Sequence, residues 1–130
     1  TGVLSTYTLP AGTRAVNKQA VRITAWGTKS GTAATANIQC RFNAGAQSTF
    51  TISSTAVGWR VFWLIIRNGA ATQKFSTLFF DNVLTTTSFG SGADAETLAN
   101  ALAIDINVSA INAADTVIQD GFIVEFLNFA

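Results

Sequence analysis

The chain has 130 residues, 48% of them apolar and only 12% charged, against about a quarter charged in ordinary soluble domains, and its formal net charge is +1. That length holds one core, hence a single domain over 1–130, and the polar surface must come from Thr, Ser, Asn and Gln. With no His and one cysteine, Cys40, the sequence excludes Ser-His and Cys-His nucleophile pairs, His/Cys zinc sites and an internal disulfide.

Strand signals begin with "STYTL" (5–9), which Pro10 stops because proline cannot continue a ladder. In "AVRITAW" (20–26) Val21, Ile23 and Ala25 share one face and Arg22, Thr24 and Trp26 the other; "ANIQCRF" (36–42) sets Ile38, Cys40 and Phe42 against Asn37, Gln39 and Arg41. Cys40 therefore reads as a core thiol. "STFTIS" (48–53) follows, then "GWRVFWLIIR" (58–67), in which Trp59, Val61, Trp63 and Ile65 alternate with Arg60, Phe62, Leu64 and Ile66. Both faces of that segment are apolar.

"TQKFSTLFF" (72–80) and "NVLTTTSF" (82–89) are further strands, and "DAETLANAL" (94–102) is the one helix-like segment, with Asp94 as cap and Leu98 and Leu102 on one face. "LAIDINVSA" (102–110) and "TVIQDGFIVEFLNF" (116–129) complete the set. In the last, Phe122, Val124 and Phe126 point one way while Ile123, Leu127 and Phe129 accompany Glu125 on the other. "PAGT", "GTKSGT", "NAGA", "RNGA", "FGSGAD" and "INAADT" punctuate the strands, and Asn68-Gly69 and Asp120-Gly121 read as tight turns. The pattern predicts an all-β fold, an antiparallel jelly-roll-like β-sandwich of about eight to ten strands. Two doubly apolar strands in so small a domain predict a partner surface. The residues expected at a subunit interface or in the core are Trp59, Phe62, Trp63, Leu64, Ile66, Phe122, Phe126, Leu127 and Phe129.

Carboxylate chemistry is what the composition leaves open, yet no spacing singles out a pair among Asp94, Glu96, Asp105, Asp115, Asp120 and Glu125, so no enzyme activity is expected. Gly90 and Gly92 lack the lysine and strand-to-helix context of a phosphate cradle and read as turn residues; Asp94 and Glu96 alone are too few for a calcium loop. No cofactor and no metal are expected. Asn107-Val108-Ser109 matches a glycosylation triplet but falls inside strand alternation.

All eight basic residues precede all seven acidic ones, spaced singly rather than clustered. The expectation is that the two halves of the chain complement each other, with no nucleic acid as partner. No apolar run nears the roughly 18 residues needed to span a bilayer, and no signal-peptide pattern is seen, which predicts a soluble chain and no membrane partner. Position 1 is Thr, after which an initiator Met is commonly removed, so the chain reads as a complete product, with a fragment cut from a larger protein as the alternative.

"YTLP" (7–10), "QAVRITAWGT" (19–28), "GWRVFWLIIRNGAATQ" (58–73), "INVSA" (106–110) and "DTVIQDGFIVEFLN" (115–128) together resemble small tailed-bacteriophage virion proteins of the capsid-decoration, head-fibre and tail-fibre type. The resemblance spans nearly the whole chain; it departs at "GTKSGTAATANIQCRF" (27–42), where that pattern has an Asn-Lys pair and an aromatic-Gly turn. It implies a jelly-roll homotrimer on the virion surface, assembled in the bacterial host cytoplasm. The major capsid protein or another virion protein would be its partner. A capsid cement or decoration protein is the expectation, because a fibre needs a shaft or anchor that 130 residues do not supply. The alternative is a receptor- or glycan-binding fibre head, using loops such as 28–36 and 89–96, with Trp26 as the one tryptophan in an exposed setting.

Overall fold

The computed structural model describes residues 2–12, 17–32, 34–52, 58–82, 88–109 and 111–128. The described residues form nine strands: β1 (Gly2–Leu9), β2 (Gln19–Ser30), β3 (Ala36–Phe42), β4 (Gly45–Ile52), β5 (Gly58–Gly69), β6 (Thr72–Asp81), β7 (Ser88–Asp94), β8 (Leu102–Ser109) and β9 (Thr116–Asn128). They make two antiparallel sheets, β1-β8-β3-β4 and β7-β6-β5-β2-β9. The sheets face each other with β1 against β9 and β4 against β6 and β7, giving the sandwich that the alternation predicts.

Period-two patterning fixes which side chains meet between the sheets. Ile38, Cys40 and Phe42 of β3 and Ile104 and Ile106 of β8 face Val21, Ile23 and Ala25 of β2 and Trp59, Val61 and Trp63 of β5, all buried. Phe50 of β4 stacks on Phe79 of β6 across the sandwich, centroids 5.2 Å apart and planes 7° from parallel. Several polar groups inside this layer are paired: the Trp63 indole donates to Gln47 Oε1 at 2.8 Å, Gln47 donates to Asp94 at 2.9 Å, and the hydroxyls of Ser48 and Thr77 lie 2.7 Å apart, whereas the buried Trp59 indole N–H has no partner among the described residues. Cys40 is fully buried, and burial pushes its thiol pKa far up.

Three segments differ from the sequence reading. No helix forms over 94–102: Gln73 donates to the Glu96 carbonyl at 2.6 Å and accepts from its N–H at 3.0 Å, while Leu98 N–H bonds the Ala70 carbonyl. Those backbone groups are taken by tertiary partners, and Leu98 is buried without a helix. Gly90 and Gly92 are strand residues of β7, where Gly90 leaves room for the Ser48 and Thr77 hydroxyls. Of the strand expected at 82–89, residues 83–87 lie outside the described residues, and β7 runs on to Asp94.

Turn chemistry also shifts. The β5–β6 hairpin closes at Ala70-Ala71, with Gly69 paired to Thr72 and a register shift absorbing Asn68. Asp120-Gly121 is no turn: it sits inside β9, where pairing slips by one residue opposite Trp26 and Gly27. Such a bulge bends and twists a strand without ending it. The cause is local packing, since a Cβ on Gly121 would lie 2.1 Å from the Trp26 indole; only glycine lets that ring lie across β9.

Candidate functional site: the outer face of the five-stranded sheet

The two outer faces of the sandwich differ in chemistry. On the four-stranded sheet, Asn37, Gln39, Arg41, Thr49, Thr51 and Asp105 alternate with the core residues and face outward. They bond one another: Thr51 donates to Asn37 at 2.9 Å, Gln39 to Thr49 at 3.4 Å, and Asn107 to Gln39 at 3.2 Å. Asn107, the glycosylation-triplet asparagine, is buried in this layer on a central strand.

The five-stranded sheet is different. Register sets its outward side chains in transverse rows: Ala93, Lys74, Ile66, Ala20 and Leu127; then Ser91, Ser76, Leu64, Arg22 and Glu125; then Phe89, Leu78, Phe62, Thr24 and Ile123. A fourth row holds Phe80, Arg60, Trp26 and Gly121. Phe62 is 36% exposed, Ile123 45% and Phe89 66%. Phe62 and Phe80 rings lie 6.0 Å apart, and a shallow cavity of about 170 Å³ opens between Arg22, Phe62, Leu64, Leu78 and Leu127. This face is the candidate site, and β5 is apolar on both sides because it is the central strand beneath it.

The residues expected at an interface or in the core separate cleanly. Trp59 and Trp63 are core. Phe62, Leu64, Ile66 and Leu127 are on the outer face. Phe122 packs, half-buried, against the core, and Phe126 is 45% exposed at the sandwich margin, its ring 6.1 Å from Tyr7 of β1. Phe129 lies outside the described residues. Sequence reading missed Leu78, Phe80 and Phe89; "TLFF" carries the signal, since Leu78 and Phe80 flank the inward Phe79.

Charge on the face is sparse. Arg22 meets Glu125 directly across β2 and β9, two bonds of 3.1 Å, which holds Glu125 below the usual carboxylate range. The Arg60 guanidinium lies 5.5 Å from the Trp26 ring centre. At the end of β2, Lys29 and Asp115 are buried 3.6 Å apart. Thr32 bonds to Asp115 hold that carboxyl below its usual range despite burial, with Lys29 adding to the effect. These two ion pairs tie β2 to β9 and to the segment just before it.

Of the remaining acidic candidates, Asp94 accepts from Gln47 and Glu96 from Asn43. Among the described residues no three metal-ligating side chains gather in one place. The segments expected to act as recognition loops are partly strand, 28–30 in β2 and 89–94 in β7. No protein-family model matches the chain, and neither a curated protein nor a solved structure matches it.

Proposed function

We propose that the chain is a bacteriophage virion structural protein, a capsid cement or decoration protein that assembles as a homotrimer through the first three rows of the outer face of its five-stranded sheet. One observation carries this reading: three successive rows of that face hold the exposed Phe62, Phe89 and Ile123 beside the half-buried Leu64, Ile66, Leu78 and Leu127, while the opposite face is mostly amides and hydroxyls that bond one another. Apolar area of this kind on a small domain is covered in use. Self-association suits it better than a charged partner, because the ion pair on this face, Arg22 with Glu125, is satisfied within the chain. The polar face of the four-stranded sheet, on which Arg41 and Asp105 are the charged groups, then remains toward solvent, with attachment to the capsid made at the rim of the assembly.

Light scattering at micromolar concentration tests the assembly: a mass of about three times the 13.7 kDa chain is expected, and a monomer overturns it. Phe62→Glu should give a folded monomer. Exposed ion pairs contribute roughly 0–1 kcal/mol each, so raised salt should release the protein from particles while leaving the trimer intact. Co-sedimentation with purified particles tests the virion role, and its absence there removes that role.

A further inference from the structure

The fourth row of the outer face ends differently from the others. Beyond Arg60 the next outward position on β5 is Gly58, which Asn82 brackets: its side chain accepts from Gly58 N–H at 3.0 Å and its N–H donates to the Gly58 carbonyl at 3.2 Å. With no side chain at Gly58, a cleft of about 310 Å³ opens over the strand, lined by Trp26, Arg60, Phe80 and Asn82. That volume is at the lower end of ligand-binding clefts, about 300–1,000 Å³. Trp59 and Asp81 also line it, but alternation places them in the buried, inward set, so they contribute strand backbone to its floor.

We propose that this cleft binds a pyranoside sugar. A pyranose ring has apolar C–H faces and a rim of hydroxyls. Phe80 offers aromatic surface to a ring face, and Trp26, the one tryptophan that is not buried, borders the cleft with Arg60 over its ring. Arg60, held beside Trp26 in the same row, offers several N–H donors to the rim. The Trp26 indole is pre-positioned, because it lies across Gly121 and cannot settle closer to β9. Pre-positioning lowers the ordering cost of a weak ligand. The proposal goes beyond the structural role and does not depend on the trimer, since sugar binding is read on the protein whatever its mass.

Gly58 supplies the test. Among the described residues a Cβ there would meet only the Gly27 carbonyl oxygen at 3.9 Å, so Gly58→Val fits the strand and obstructs the cleft floor while deleting none of its groups. The probes are the methyl glycosides of glucose, galactose and mannose, N-acetylglucosamine, glucuronic acid, and N-acetyltyrosinamide as a mimic of a protein side chain. The readout is the Trp26 indole N–H resonance, assigned by its loss in Trp26→Phe. At least one sugar is expected to shift that resonance saturably, with affinity lowered about tenfold or more by Gly58→Val and by Arg60→Ala at unchanged thermal stability. No shift with any sugar overturns the proposal, as does a shift that survives Gly58→Val. Binding of N-acetyltyrosinamide alone would mean that the cleft receives a protein side chain, and overturns it as well. The homotrimer stands or falls separately, on the mass measurement.

Discussion

Replacing Phe79 with alanine probes the contact that joins the two sheets most directly. Phe79 is fully buried on β6 and stacks against Phe50 of β4, which belongs to the opposite sheet. Truncating a buried phenylalanine costs about 3–5 kcal/mol through lost transfer energy and the cavity left behind. About 0.5–1.5 kcal/mol of that belongs to the ring pair itself. A domain of this size has roughly 6–20 kcal/mol of total stability, so Phe79→Ala should remain folded yet lose about 4 kcal/mol. At about 3–5 °C per kcal/mol for this length, the melting point should fall by about 12–20 °C. Urea unfolding followed by tryptophan fluorescence, at one fixed protein concentration because self-association adds apparent stability, measures the loss. A double-mutant cycle with Phe50→Ala isolates the pair, with an expected coupling of about 0.5–1.5 kcal/mol. A loss below about 1.5 kcal/mol, or coupling within the roughly 0.3 kcal/mol expected of independent sites, would refute the argument that this stack ties the sheets together.

Cys40 should react with a thiol reagent only after denaturation, since burial removes both access and the thiolate, and Cys40→Ala should cost about 1 kcal/mol; rapid labelling of the native protein would contradict its placement. Asp115 has a carboxyl pKa lowered from 3.8, so the stability it contributes is fully present above that value and lost as pH falls through the lower folded value; Asp115→Asn should be less stable than the parent at neutral pH, with the gap closing in acid, and a gap independent of pH over that window would count against the assignment. Gly121→Ala should destabilise by about 1–3 kcal/mol and change the tryptophan emission, because a methyl group displaces the Trp26 indole; a neutral result in both measurements would show that the ring does not rest on β9.

Much of the fold is legible in the chain because strand alternation is a local property. Val21, Ile23 and Ala25, and Ile38, Cys40 and Phe42, are inward for the reason their spacing suggests: successive side chains on an extended backbone point to opposite faces whatever the partner strand. The two apolar faces of β5 were equally readable, and so was the complementarity of a basic first half with an acidic second half. The helix-like pattern at 94–102 misleads because a leucine pair four residues apart also suits a turn whose backbone is held by Gln73. Asp120-Gly121 looks like a turn because nothing near it reveals that its glycine accommodates a tryptophan nearly a hundred residues away.

The sequence by itself determined that the chain forms antiparallel strands around one core, that Cys40 is a core thiol, and that His- and Cys-dependent chemistry is out of reach. Only the tertiary structure decided which apolar face of β5 is sealed and which is open, that Leu78, Phe80 and Phe89 extend the open face, and that Gly58 leaves a cleft between Trp26 and Phe80. Those outcomes depend on strand order and register between distant segments, such as Arg22 with Glu125, 103 residues apart. Alternation says that two faces exist; pairing across the whole chain chooses the one that meets the second sheet.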